Sequence, residues 1–371
     1  MFSYLDHLEC TQCGKDFPHQ ELQKISSCCG KVLYARYDLG RISKEVDRNI
    51  YDGRRGDMWR FSELLPVLKP DNVLTLGEGG TPLLEVGNLA SKLGLKSLFI
   101  KEEGLNPTGT FKARGIAAAV SKAQELGVTG FTMPSAGNAA GAAATYCARA
   151  GLPVKVFMPQ DAPQSNQKES VMSGSELNLV DGLISDAGRI AVGIAEAENL
   201  FDLSTLKEPY RAEGKKTMGL EIAQQLGWKT PDAIIYPTGG GTGILGMYKA
   251  FQELAELGWI EGKAESEAWQ NAATLADGLR VPHPFADYLI LDVLRQTGGT
   301  ALAVDDPSMV DAMYEIATAE GIIACPEGAA TLVGLKRLLA EGFLNANETI
   351  VLLNTGSGYK YLDLITTASR K

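Results

Sequence analysis

The sequence predicts an α/β protein of parallel sheets covered on both faces by helices. Three observations carry this. Short apolar runs alternate with amphipathic stretches from about residue 97 to residue 353, glycines end several of the amphipathic stretches, and glycine-rich segments follow directly on apolar runs. At 371 residues, 45% of them apolar and 22% charged, the chain suits two or three packed globular units.

The elements follow in order. Residues 97–101 (SLFIK), 130–134 (GFTMP), 154–158 (VKVFM), 177–180 (LNLV), 233–237 (AIIYP), 300–304 (TALAV) and 349–353 (TIVLL) read as buried strands. Helical stretches lie between them, among them GNAAGAAATYCARAG, AGRIAVGIAEAEN, GLEIAQQLG and PSMVDAMYEIATAEG. Gly127, Gly151, Gly227 and Gly321 sit where helices stop. One place breaks the rhythm. After GILGMYKAFQELAELGW the polar stretch IEGKAESEAWQ offers no apolar run, so a sheet strand near residues 260–270 reads as missing.

A net charge of -10 argues against nucleic acid or an anionic membrane as partner. The opening MFSYLDHLEC has no basic region leading into an apolar core, and no apolar run is long enough to span a bilayer. A cytoplasmic enzyme acting on a small molecule is the expectation. Cys10, Cys13, Cys28 and Cys29 crowd the first thirty positions, as a metal ribbon would require. Cys10 and Cys13 form a regular knuckle. Cys28 and Cys29 are adjacent, and Ser26 stands where a second knuckle needs its first cysteine. Zinc on these four and a ribbon whose site has decayed both stay open.

Four glycine-rich stretches offer ligand contacts. PTGGGTG places Gly239, Gly240, Gly241, Thr242 and Gly243 between a strand and a helix, where backbone N–H groups converge on an anion. It has neither a nucleotide P-loop ending nor a dinucleotide spacing, so a phosphate monoester fits it best. PSAGNAAG repeats the arrangement, with N–H groups for a carboxylate and Asn138 for an oxygen or a helix cap. NTGSG presents Thr355 or Ser357 at a strand end, and CPEGAAT places Glu327 in a first helical turn. His7, His19 and His283 stand outside all four loops, which leaves a histidine triad or metal centre without support. Lys112, in NPTGTFKARG, is then the candidate amine for a Schiff base with pyridoxal 5′-phosphate.

Taken together and in order, LGEGGTPLLE, NPTGTFKARG, SAGNAAG, YPTGGGTG, CPEGAAT and LLNTGSGYKY resemble the threonine synthase branch of the fold-type II pyridoxal-phosphate enzymes, and the ribbon followed by YARYDL is similar to many of its members. The resemblance covers essentially the whole chain. It implies two three-layer α/β domains of the tryptophan synthase β-like architecture after a Cys-containing ribbon. Residues 1–38 are the ribbon, 39–112 with 211–371 a large cofactor domain, and 113–210 a smaller inserted domain. It implies a lyase of threonine biosynthesis that turns O-phospho-L-homoserine and water into L-threonine and phosphate. In that reading Lys112 is the Schiff base and proton shuttle, with Phe111 and Glu327 at the cofactor. Asn138 meets the phenolic oxygen, the Gly239–Gly243 loop the phosphate and Thr355 the ring nitrogen. Ser135, Gly137 and Ala139 hold the substrate carboxylate, Arg211 the substrate phosphate, and a homodimer is the family's form.

This chain departs from the pattern at three positions. Ala113 replaces an aspartate, and Leu206 and Glu208 stand where a serine and an asparagine usually accompany Arg211. A carboxylate beside a dianion repels it unless it faces away, with Lys207, Lys215 and Lys216 as compensating charges. A serine/threonine ammonia-lyase or β-replacement enzyme using Lys112, and a relative disabled by the missing strand, are the alternatives.

Overall fold

The computed structural model describes residues 1–261, 265–267, 275–279, 281 and 284–365. His283 lies outside the described residues.

The N-terminal ribbon is a three-stranded antiparallel sheet of β1 (Leu5–Cys10), β2 (Asp16–Phe17) and β3 (Leu33–Tyr37), in the order β2-β1-β3. The later strands are β4 (Leu83–Glu85), β5 (Ser97–Glu102), β6 (Phe131–Pro134), β7 (Val154–Pro159), β8 (Glu176–Val180), β9 (Phe201–Asp202), β10 (Ala233–Ile235), β11 (Glu265–Glu267) and β12 (Thr349–Asn354). The chain divides into two compact units. The first comprises Met1–Gly80, Lys112–Glu221 and Leu245–Ile260; the second comprises Thr81–Phe111, Ile222–Ile244 and Glu261–Lys371.

In the first unit β8, β7, β6 and β9 form a wholly parallel sheet in that order. Phe157 and Val180 from the sheet bury against Ala187 and Ala191 of the helix Ile184–Ala197, whose small residues let it lie close. The helix Lys112–Glu125 is buried from Ala113 to Ala123. An all-buried helix must satisfy its charges internally. Arg114 does so with Glu221 (2.7 Å and 2.8 Å, both side chains 0% exposed) and Thr217 (2.9 Å). Glu221 also accepts the Gly80 N–H at 2.8 Å. The ribbon is tied in through Tyr37, whose hydroxyl donates to Glu213 at 2.9 Å beneath Lys216 and Lys249. Glu78 is a second buried hub, accepting from Trp59 Nε1 (2.8 Å) and Tyr146 (2.6 Å).

In the second unit the sheet order is β11-β10-β12-β5-β4, parallel except for β4. Leu98, Ile100, Ile235, Ile350 and Leu352 pack against Leu332, Leu335 and Leu338 of the helix Pro326–Ala340. Two sequence expectations need correction here. The strand read as missing near 260–270 is present as β11, paired in parallel with β10 from Ala233↔Glu265 to Ile235↔Glu267. It is a three-residue edge strand, and main-chain pairing needs no apolar run. Residues 300–304 form no strand; Leu302 and Val304 pack on the cores from an extended run that ends at Asp305, the N-cap of the helix Asp306–Glu320. The other predicted strands are all strands, and Gly151 and Gly321 end their helices in the left-handed conformation, at φ 68° and 71°.

Removing one partner of a buried ion pair strands the other charge. Arg114→Ala should cost about 3–5 kcal/mol of unfolding free energy. Arg114→Met/Glu221→Leu should recover most of it, both read by urea denaturation.

Candidate functional site

The predicted site residues fall on strand ends and helix starts. Within the second unit, the segment before Lys112 is pinned along its backbone. Thr110 bridges to Gly356, the Phe111 N–H donates to the Thr355 carbonyl at 3.0 Å, and the Ser357 N–H donates to the Gly109 carbonyl at 2.8 Å. The Phe111 ring meets Tyr236 edge-on at 6.1 Å.

The PTGGGTG loop belongs to this unit, running from β10 into the helix Thr242–Glu256. Two of its glycines are required by contact. A Cβ on Gly239 would lie 2.0 Å from the Gly278 carbonyl oxygen, and one on Gly243 would lie 1.9 Å from the Tyr236 hydroxyl. Gly241 has φ +86°, which a side chain rarely adopts. Thr242 is buried at the helix start. A helix N-terminus with backbone bare of side chains suits a phosphate.

Glu327 stands behind this loop. Its carboxylate accepts the Gly278 N–H at 2.8 Å and the Tyr361 hydroxyl at 2.9 Å, so it holds the residue against which Gly239 packs. The first-turn position expected from sequence is correct, but these tertiary partners were not legible there.

Thr355 lies in a chain of buried hydrogen bonds that the sequence did not reveal. Glu102 accepts both bonds from the Asn354 amide nitrogen (2.8 Å each) and one from the Gly104 N–H (2.8 Å). That fixes the Asn354 carbonyl toward Cys325, whose N–H (3.2 Å) and thiol (3.4 Å) donate to it. The Cys325 sulfur accepts the Gly328 N–H at 3.3 Å and lies 3.7 Å from the Thr355 hydroxyl. Burial pushes the Cys325 thiol far up, so it stays protonated. With its hydrogen committed to Asn354, the sulfur offers Thr355 only a weak acceptor. The Thr355 hydroxyl is thereby held only weakly, by sulfur at 3.7 Å.

In the first unit, Lys112 opens its helix half-buried, and the fully buried Arg114 anchors the same turn. Ala113 is fully buried, so an aspartate there would carry a desolvated charge. Ser135 follows β6, its hydroxyl accepting the Gly137 N–H at 3.2 Å, and Gly137 caps the helix Asn138–Ala150. Asn138 and Ala139 are its first two residues, and Asn166 braces the loop through the Ala136 carbonyl at 3.0 Å.

Arg211 lies in the first turn of the helix Tyr210–Gln225, buried, with Nη1 donating to the Leu203 carbonyl at 2.6 Å and its Nε without a partner among the described residues. Glu208 does not oppose a ligand. Its buried carboxylate accepts the Tyr210 and Arg211 N–H groups at 2.7 Å and 3.0 Å and thus caps the helix. Burial pushes it up to about 7, against the Arg211 charge. Lys216 is not a spare cation either, because it is committed to Glu213 at 2.6 Å and Glu253 at 2.9 Å. Leu206 takes a left-handed backbone at φ 59°. At the ribbon, the sulfurs of Cys10, Cys13, Cys28 and Cys29 all lie within 4.8 Å of one another.

A family model described as pyridoxal-phosphate dependent enzyme matches residues 74–356. A threonine synthase of Methanosarcina acetivorans is 34% identical over 94% of this chain and 91% of its own length. One of Methanocaldococcus jannaschii is 34% identical over 98% of this chain and 95% of its own length. Among solved structures, maize serine racemase has a similar fold, with a TM-score of 0.63 and 24% identity over 76% of this chain and 92% of its own.

Gly243→Ala should weaken binding of a phosphate monoester such as pyridoxal 5′-phosphate by at least about tenfold, or about 1.4 kcal/mol, in an absorbance titration. Unchanged affinity would remove the loop from the site. Glu102 supplies a pH prediction. Burial raises its carboxyl from 4.5 to about 7, while Asn354 and Gly104 pull the other way. A folded value above the unfolded one means that its contribution is complete below the ordinary carboxylate range and is lost as pH rises through about 7. Glu102→Gln should therefore flatten the fall in unfolding free energy between those limits, as measured by urea denaturation across pH.

Proposed function

The chain belongs to the pyridoxal-phosphate-dependent enzymes, in the threonine synthase family, and from that premise we propose that it converts O-phospho-L-homoserine and water to L-threonine and phosphate. The observation that carries the reading is the likeness to threonine synthases over nearly the whole chain, ribbon included. Bound pyridoxal 5′-phosphate supplies an aldehyde for an amine and a ring that withdraws electrons from it.

The rest falls to this chain's residues. The Lys112 amine is the attachment point and moves protons at the substrate Cα and Cβ. The N–H groups of Gly239, Gly240, Gly241, Thr242 and Gly243 hold the cofactor phosphate. Asn138 would donate to the phenolic oxygen and Thr355 would meet the ring nitrogen, with Phe111 and Glu327 also at the cofactor. A neutral hydroxyl at the ring nitrogen, unlike a carboxylate, leaves it largely unprotonated and tempers electron withdrawal. Ser135, Gly137 and Ala139 receive the substrate carboxylate at the start of the helix Asn138–Ala150, where backbone N–H groups and the helix dipole favour an anion. Arg211 meets the substrate phosphate through its unpartnered Nε. Glu208, held by helix N–H groups, leaves that role unopposed.

The alternative of a disabled relative rested on a missing strand, and β11 removes that ground. The ammonia-lyase and β-replacement readings are not favoured by the comparisons. We further infer a cytoplasmic homodimer, with residues 113–210 as an inserted small domain, 39–112 and 211–371 as the large one, 1–38 as the ribbon, and zinc on the ribbon cysteines. Strands β6 to β9 all fall within the inserted segment.

Incubating the cofactor-loaded protein with O-phospho-L-homoserine should release phosphate and form threonine in equal amounts. Keto acid and ammonia from threonine or serine, without phosphate release from phosphohomoserine, would overturn the reading. Lys112→Ala should abolish turnover with an unchanged far-ultraviolet spectrum.

A further inference from the structure

The ribbon contains two turns built alike. In the first, CTQCGK, the Cys10 N–H donates to the Lys15 carbonyl at 2.9 Å and the Gly14 N–H to the Cys10 carbonyl at 2.9 Å, with Gly14 at φ 69°. In the second, SSCCGK, the Ser26 N–H donates to the Lys31 carbonyl at 2.8 Å and the Gly30 N–H to the Ser26 carbonyl at 2.8 Å, with Gly30 at φ 63°. The backbone correspondence is residue for residue. Cys29 answers to Cys13, and Ser26 answers to Cys10. Cys28 occupies the place that Gln12 holds in the first turn.

The side chains compensate for the absent cysteine at position 26. The Cys28 sulfur approaches that of Cys13 to 3.4 Å, and all four sulfurs lie within 4.8 Å of one another. Tetrahedral zinc with Zn–S bonds of about 2.3 Å sets its sulfurs about 3.8 Å apart, so the four are grouped as one ion requires. Ser26 is buried beside the buried Cys10, its oxygen 3.2 Å from the sulfur while it accepts the Lys31 N–H at 3.0 Å.

We infer that the ribbon holds one zinc ion on Cys10, Cys13, Cys28 and Cys29 in a shifted register, with Cys28 supplying the ligand that the second turn would ordinarily draw from position 26, and Ser26 serving as a hydrogen-bond donor to the Cys10 thiolate. Binding releases the thiol protons to solvent. Once Cys10 is a thiolate it has no hydrogen to give, so the Ser26 hydroxyl reverses and donates to sulfur, as groups around a metal's ligands commonly do. The inference deepens the zinc reading of the ribbon and is independent of the catalytic one.

The test uses the full-length protein purified under reducing conditions, with zinc measured by mass spectrometry and cobalt(II) substitution followed in the visible spectrum. The wild type should carry about one zinc per chain and give the intense bands of tetrahedral cobalt thiolate. Cys28→Ser should lose zinc to a competing chelator at least about tenfold more readily, and Ser26→Ala should weaken binding about 10- to 100-fold. Ser26→Cys/Cys28→Ser, which restores two regular knuckles, should regain wild-type binding. Circular dichroism shows whether each variant folds. Wild-type protein that takes up neither zinc nor cobalt with its thiols reduced, or that pairs Cys13 with Cys28 in a disulfide, would overturn the site. Folded Cys28→Ser protein with wild-type zinc affinity would overturn the shifted register, as would failure of the double variant to recover. None of these readouts depends on turnover, so the zinc and catalytic readings fail separately.

Discussion

The turn that carries Lys112 is held by an ion pair from which water is excluded. Arg114, two residues further along the helix, gives both arms of its guanidinium to Glu221, and neither side chain is exposed. In a dry interior such a pair is costly to form and costlier to break, so it enforces geometry more than it adds stability. Thr217 and the Gly80 N–H occupy positions that would otherwise leave the pair under-bonded. Two stretches distant in sequence, Gly80 and the turn from Thr217 to Glu221, are thereby tied to one helical turn. In the sequence GTFKARG the arginine thus fixes the helical turn on which the lysine stands.

The second unit solves a different problem by the same means. The glycine-rich loop after β10 is bare backbone, and bare backbone needs support. Gly239 packs on Gly278, Gly278 is held by Glu327, and Glu327 is braced by Tyr361. Thr355 is supported likewise, through Cys325, Asn354 and Glu102. Such chains hold where backbone N–H groups and the Asn354 amide fix the direction of each bond. Reversing the Asn354 amide would set its nitrogen against the Cys325 N–H and its oxygen against a carboxyl.

Much of the fold was legible because strong periodic runs allow little choice. The runs at 97–101, 154–158 and 349–353 are too apolar to lie anywhere but in buried strands, and they do. The misreadings came where periodicity is silent. The strand β11 was missed because an edge strand is held by main-chain bonds, to which side chains give no signature. Residues 300–304 carry the apolar alternation of a strand but pair with none among the described residues, their Ala303 carbonyl accepting from Arg337 instead. Glu208 looked like an obstacle to a phosphate because sequence gives neighbours but not direction. Its carboxylate turns onto the start of its own helix.

By itself the sequence determined the alternation of strands and helices and the glycine-rich turn that follows β10. These depend on apolar periodicity and on a residue type that local backbone demands, namely glycine where a side chain would collide. Only the tertiary structure decided what the charged residues do. Lys216 and Glu208 read from sequence as candidates for or against a ligand, and burial commits the one to Glu213 and Glu253 and the other to helix N–H groups. The same holds for the ribbon, where adjacent cysteines look like a poor chelate in one dimension. The three-dimensional turn gathers four sulfurs, because backbone register and side-chain reach are set by different bonds.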